Sequence, residues 1–123
     1  MENKVKNEKY TGNDESAITS FSPGIDDEEI RQTFLNIISD NSSRMILDSI
    51  IDTAKSILEI SDETQVPLRT VYRKIQLFHD SKLLKISGTV TDSGKKYFLY
   101  KSKVRSISIS YHPKELIVNI IKN

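Results

Sequence analysis

The stretch "SILEISDETQVPLRTVYRKIQLF", residues 56–78, contains the two helical patterns that decide the fold. The first pattern begins with Ser56 and Glu59, which have the S-x-x-E spacing of a capping box. In a capping box the hydroxyl accepts a hydrogen bond from the backbone of the first turn, while the carboxylate accepts one from the cap residue. The sequence therefore predicts a short helix over residues 56–64.

A proline separates this helix from the next. Val66 precedes Pro67, and the residue before a proline disfavours helical geometry, whereas proline itself suits the first turn of a new helix. We therefore expect a second helix over residues 67–82. Two helices joined by so short a turn predict a helix-turn-helix.

The second helix has two chemically distinct faces when its residues are placed on a helical wheel. The apolar face, which we expect to be buried, consists of Leu68, Val71, Ile75 and Phe78. The opposite face carries Arg69, Arg73 and Gln76, with Thr70 and Tyr72 on its flanks. Arginine and glutamine have the paired donors and acceptors that match guanine and adenine edges in the major groove. An ordinary solvated helix face is the alternative interpretation.

Downstream of residue 83 the apolar pattern changes to the alternation of strands. The segments "LLKISGTV" and "KKYFLYK" flank "TDSG", which suits a hairpin turn with Gly94 at a positive φ. Apolar residues at 107, 109 and 111 then alternate with serines, which predicts a half-buried strand. Residues 113–122 satisfy both a strand and a helix pattern, and their β-branched content favours a strand.

Upstream, residues 1–24 are polar and almost without apolar side chains, so we expect a disordered N-terminal tail. Apolar residues at helical spacing predict a helix over 26–39, with acids in its first turn. The sequence "SDNSS" should break it, and a further helix is predicted over 43–52. Residues 25–123 are thus expected to form one domain.

The charge distribution along the chain is strongly asymmetric. Residues 25–66 contain three basic and ten acidic residues, a net charge of −7. Residues 67–105 contain ten basic and two acidic residues, a net charge of +8. A basic segment that includes both the second helix and the hairpin indicates a polyanionic partner.

Composition argues against several other classes of protein. With no cysteine and two histidines among 123 residues, the chain offers no thiolate zinc site and little for other metals. No nucleophile, base and acid can be grouped from the sequence, so we predict a non-enzyme that needs no cofactor and no metal. No apolar run reaches the length of a membrane span, and residues 1–16 have no signal-peptide core, so we expect a cytoplasmic protein.

Residues 43–111 resemble the winged helix-turn-helix of prokaryotic transcription regulators, particularly those of the ArsR type. The matching positions are Ile60, Thr64, Gln65, Val66, Pro67, Arg69, Thr70, Val71, Tyr72, Arg73, Ile75, Phe78, Leu83 and Leu84. The resemblance implies an α+β fold: a three-helix core with a β-hairpin wing, here with an extra N-terminal helix and a C-terminal β extension. It also implies that the 67–82 helix is the recognition helix and that residues 85–101 form the wing. The implied DNA-binding residues are Arg69, Thr70, Tyr72, Arg73, Gln76, Lys95 and Lys96.

Two positions depart from the family pattern. Gln65 stands where the pattern has a glycine, and a left-handed glutamine would cost about 1 kcal/mol or more. Arg69 replaces a small serine, which adds charge where the helix would enter the groove. The clusters of Cys, His or carboxylate that serve metal-sensing relatives are not visible, so we predict no metal sensing.

The function predicted from the sequence is sequence-specific binding of double-stranded DNA by a homodimeric transcription regulator. The dimer is inferred from apolar elements beyond a minimal winged helix, namely the 26–39 helix and the C-terminal strands. Simple extension of the core is the other explanation of these elements. The alternative function is a winged helix that binds a protein of the transcription machinery without specific DNA readout.

Overall fold

The structure is a computed structural model that describes residues 27–123, so the predicted disordered tail over 1–24 lies outside the described residues. Four helices are followed by two antiparallel hairpins. The helices are α1 (Glu28–Ser39), α2 (Asn41–Ser49), α3 (Ile57–Thr64) and α4 (Leu68–Asp80). The strands are β1 (Leu84–Val90), β2 (Lys96–Ser102), β3 (Val104–His112) and β4 (Glu115–Lys122).

The first two helices are separated by one residue, Asp40. Its carboxylate accepts a hydrogen bond from the Ser43 backbone N–H at 2.9 Å, so it caps α2 directly after α1 ends. The prediction of a longer break and of a helix over 43–52 was therefore wrong in its bounds. The cap starts α2 two residues earlier than predicted, and the helix ends at Ser49.

The capping box of α3 is present as predicted. The Ser56 N–H donates to Glu59 Oε1 at 2.8 Å, and the Glu59 N–H donates to Ser56 Oγ at 3.2 Å. Helix α4 begins directly after Pro67 and ends at Asp80, two residues before the predicted end. It ends there because Lys82 adopts a left-handed conformation with φ of 62°, which a continuing helix does not allow.

The first hairpin pairs β1 with β2 and has Gly94 at φ of 87°, as the turn sequence predicted. A single bridge between Lys55 and Tyr100 adds a short third segment to this sheet. The second hairpin pairs β3 with β4, so residues 115–122 form a strand and not a helix. On β3, Ile107 and Ile109 are half-buried as expected.

Two side chains expected to be at least partly buried are exposed. Tyr111 is 75% exposed because it lies near the turn of the second hairpin, beyond the reach of the core. Leu68 is 39% exposed because it is the first residue of α4, at the edge of the helix packing. The other three residues of the predicted apolar face, Val71, Ile75 and Phe78, are buried.

One apolar core joins all four helices to both hairpins. Its members are Phe34, Ile37, Ile46, Leu47, Ile50, Ile60, Val66, Val71, Ile75, Phe78, Leu83, Leu84, Val104, Val118 and Ile120. Helix α1 packs against α2 and β4, so the elements outside the helix-turn-helix complete the core of a single chain. Asn123 joins distant segments, since its amide donates to the carbonyl oxygens of Ile51 and Ser102.

Candidate nucleic-acid interface

The face of α4 opposite the core carries the polar residues that the sequence singled out. Arg69, Arg73 and Gln76 are exposed there. Neither arginine forms an ion pair with any other residue in the range 27–123. The Gln76 side-chain amide donates a hydrogen bond to Asp80 Oδ1 at 3.1 Å, so one of its donor groups is already used within the helix. The start of the face is thus a pair of unneutralised guanidinium groups one helical turn apart.

Tyr72, on the flank of this face, connects α4 to the first hairpin. Burial raises the pKa of the Tyr100 hydroxyl on β2, and the nearby Tyr72 raises it further. Tyr100 is half-buried while Tyr72 is exposed, and the effect on the pKa places the two side chains near each other. Thr70, on the other flank, is half-buried. The helix and the hairpin therefore present neighbouring surfaces.

Lys95 and Lys96 lie at the far end of this hairpin, and both are exposed. Lys95 belongs to the turn, where its N–H donates to Thr91 Oγ1 at 3.0 Å. Lys96 begins β2 and shares a face of that strand with Tyr100, because side chains two or four residues apart point to the same side. Four residues of strand place Lys96 about 13 Å beyond Tyr100.

Lys74 lies on α4 among the predicted contact residues but has a different role. Its ammonium group lies 3.0 Å from Asp40 Oδ2, and its side chain is only 16% exposed. Lys74 and Ser43 hold the pKa of the Asp40 carboxyl at about 2, below its ordinary value of 3.8. Lys74 therefore holds α4 against the α1–α2 junction and is not available to a ligand.

The turn between α3 and α4 has the left-handed residue that the family pattern places there. Gln65 adopts φ of 65° and ψ of 15° and ends α3. Its side-chain amide donates to the Asp62 carbonyl oxygen at 2.7 Å, and Ser61 Oγ donates to the Val66 carbonyl oxygen at 2.7 Å. Side-chain hydrogen bonds thus hold the turn where a glycine would adopt it without strain.

No group of three or more His, Asp or Glu side chains placed to hold a metal ion occurs within residues 27–123. In the same part of the chain, none of the helices has the length and apolar character needed to cross a membrane.

Comparison with known proteins identifies the fold. No protein-family model and no curated protein sequence matches the chain. Its structure is similar to the crystal structure of NolR from Sinorhizobium fredii, with 17% sequence identity and a TM-score of 0.52. The match covers 72% of this chain and 84% of the NolR chain. The chain has a winged helix-turn-helix fold.

In this winged helix-turn-helix, α3 and α4 are the helix pair and the β1–β2 hairpin is the wing. The sequence predicted both, together with the outward face of α4. It did not reveal that Lys74 is paired with Asp40, because the two residues are 34 positions apart. It also missed a cluster of lysines at the base of the wing, whose members are far apart in sequence and meet only where the two hairpins join.

Proposed function

We propose that this winged helix binds double-stranded DNA sequence-specifically and acts as a transcription regulator. Helix α4 enters the major groove, and the β1–β2 wing contacts the adjacent groove or the phosphate backbone. In this arrangement the DNA-binding residues are Arg69, Thr70, Tyr72, Arg73, Gln76, Lys95 and Lys96.

The single observation that supports the proposal best is that Arg69 and Arg73 of α4 are exposed and form no ion pair with the residues that the structure describes. In helix-turn-helix proteins this helix lies in the major groove with its N-terminal residues on the base edges. The two arginines lie about 6 Å apart along the helix axis. That spacing is close to the rise of two base pairs, about 7 Å. Both guanidinium groups lie on one face within one helical turn, so both can face the base edges of one half-site.

The wing supports the proposal through its position and charge. Tyr100 at the base of the wing lies near enough to Tyr72 of α4 for its pKa to be raised by it, and Lys95 and Lys96 lie at the far end of the wing. Ammonium groups at this distance from the groove reader suit backbone phosphates, which fix the position of a protein on the duplex without reading sequence.

The ArsR-type affiliation and the homodimer belong to the proposal as well. The affiliation rests on the motif over residues 60–84. A homodimer would place two copies of α4 on half-sites about one helical turn apart, or about 34 Å. Gel filtration with light scattering tests this part, and a monomer at micromolar concentration would remove the dimer while leaving DNA binding possible.

A second candidate function, binding to a protein of the transcription machinery, is favoured by the apolar surface of the wing. Ile86, Val90 and Phe98 are exposed on the face of the hairpin that also carries Tyr100. Exposed apolar residues that are contiguous often mark protein-binding surfaces. Residues 67–105, which carry a net charge of +8, would then contact an acidic protein instead of a DNA duplex.

Titration of the whole chain with random-sequence duplex DNA at several salt concentrations separates the two functions. A DNA-binding protein weakens steeply with salt, because each neutralised phosphate releases counterions. Selection of bound sequences from a random duplex pool then tests specificity and the symmetry of the half-sites. Absence of measurable DNA affinity at low salt would contradict the DNA-binding proposal and favour the protein partner.

A further inference from the structure

A cationic pocket lies where the base of the wing meets the second hairpin. Its volume is about 480 Å³. Its polar lining includes five lysines, Lys82, Lys85, Lys101, Lys103 and Lys122, together with Ser102 and Asn123. Leu83, Val104 and Ile120, which are nearly fully buried, close its floor, and the methylene stems of the lysines add apolar surface around them. No acidic residue lines it, so the pocket concentrates positive charge around an apolar surface.

Four of the five pocket lysines are exposed and Lys101 is half-buried, and all five lack the carboxylate partners that the partly buried Lys55 and Lys74 have within residues 27–123. Lys55 pairs with Glu63, and Lys74 pairs with Asp40. None of the five pocket lysines forms an ion pair with another residue of the described range 27–123. Clustered ammonium groups without counter-charges repel one another, and an anion bound between them would relieve the repulsion.

Two of the pocket lysines, Lys85 and Lys101, are paired across the two strands of the wing. The two residues are directly opposite each other in the register of β1 and β2. Like charges at directly opposite positions of an antiparallel pair destabilise the sheet. An anion bound between the two ammonium groups would remove this repulsion.

The pocket opens away from the proposed DNA-reading surface. Tyr100 and its partner Ile86 share one face of the wing, and Tyr100 lies next to Tyr72 of α4. Lys85 and Lys101 occupy the adjacent positions on each strand, so their side chains point to the opposite face. The lysine pocket and α4 are thus on different sides of the hairpin.

We propose that this pocket binds a small organic polyphosphate, that is, a molecule with two or more phosphate groups and an apolar part such as a nucleobase. Ammonium groups donate strong charge-assisted hydrogen bonds to phosphate oxygens. The apolar floor suits the uncharged part of the ligand, and the volume lies within the range of small-molecule sites, roughly 300–1,000 Å³. Bound phosphates would connect Lys85 and Lys101 of the wing to Lys122 of β4.

Isothermal titration of the whole chain with ATP, at about 0.15 M salt to screen diffuse attraction, tests the proposal. We expect saturable binding of one ATP per chain and a rise in the unfolding temperature with ATP concentration. Inorganic tripolyphosphate should bind more weakly than ATP because it makes no contact with the apolar floor. Equal or tighter binding of tripolyphosphate would overturn the assignment of an organic ligand.

The double variant Lys85→Gln/Lys101→Gln should weaken ATP binding by about tenfold or more, since it removes two charge-assisted contacts. It should also unfold at a higher temperature than the parent without ligand, because the repulsion between the two positions is gone. This second measurement separates loss of the site from loss of the fold. The matched control is Arg105→Gln/Lys114→Gln, which removes the same charge from exposed positions of the second hairpin outside the pocket and should bind ATP as the parent does. Undiminished binding in the first variant, or an equal loss in the control, would overturn the proposal.

Discussion

Lys74 on α4 lies with its ammonium nitrogen 3.0 Å from Oδ2 of Asp40, the only residue between α1 and α2. The same carboxylate oxygen accepts hydrogen bonds from the backbone and the hydroxyl of Ser43. One side chain therefore caps α2 and holds α4 at the same time. The orientation of the helix that carries Arg69 and Arg73 depends in part on the charge of Asp40.

The first prediction concerns the pH dependence of stability. The pKa of the Asp40 carboxyl is lowered from 3.8 to about 2. Its contribution to the free energy of unfolding is therefore complete above about pH 4 and is lost as the pH falls through 2. The Asp40 side chain is 39% exposed, so after solvent screening we expect about 1 kcal/mol from it. Asp40→Asn should lower the free energy of unfolding by that amount at pH 6, measured by urea denaturation, and the difference should vanish near pH 2. Asp92→Asn, in the exposed turn of the wing, removes the same charge far from α2 and α4 and is the control for charge alone.

The second prediction concerns the left-handed Gln65. A glycine adopts this conformation freely, so Gln65→Gly should raise the free energy of unfolding relative to Gln65→Ala by about 1 kcal/mol. The alanine variant is the matched control because both substitutions remove the hydrogen bond to the Asp62 carbonyl oxygen. Equal stabilities of the two variants in urea denaturation would show that φ of 65° at this position carries no strain.

The third prediction separates base contacts from phosphate contacts in the proposed DNA complex. Arg69→Ala and Arg73→Ala should each cost roughly 1–3 kcal/mol of binding free energy and relax sequence preference. Lys95→Ala and Lys96→Ala should weaken binding about equally for all sequences and reduce the salt slope by about 1 each. Competition titrations with selected and scrambled duplexes measure both effects. Arg105→Ala is the control for charge alone, because it removes a cation of β3 that is paired with Asp52. An Arg69 variant that keeps full sequence preference would contradict the placement of α4 in the groove.

The fourth prediction tests which face of α4 packs on the core. Phe78 is fully buried, so Phe78→Ala should lower the free energy of unfolding by about 3–5 kcal/mol. Its neighbour Leu77 lies on the exposed side, and Leu77→Ala should cost less than about 1 kcal/mol. Comparable losses for the two variants in thermal or urea unfolding would contradict the orientation of the helix.

Much of the fold follows from local sequence signals. The Ser56 and Glu59 capping box, the proline before α4 and the glycine of the wing turn each predict a feature that the structure contains. These signals act within a few residues, so a single sequence is enough to identify them. Helical periodicity likewise predicted which face of α4 is buried, except at Leu68, where the first turn extends beyond the core.

The features that the sequence mispredicted, left open or did not reveal depend on contacts between distant residues. In "SDNSS" every residue is able to cap a helix, and the choice of Asp40 is reinforced by Lys74, far along the chain. Residues 115–122 satisfied two periodicities, and pairing with β3 decides for a strand. The lysine pocket requires both the register of the wing and the position of β4, neither of which the sequence alone provides.

The hydrogen bonds of Asn123 join segments that are far apart in the sequence. Its amide reaches the Ile51 carbonyl oxygen across 72 positions of sequence and, in the same place, the Ser102 carbonyl oxygen at 3.0 Å. During synthesis the local contacts of α3 and α4 become possible long before residue 123 has left the ribosome, whereas long-range pairings form more slowly. The joint that Asn123 makes with residues 51 and 102 is therefore expected to form later than the local contacts of α3 and α4.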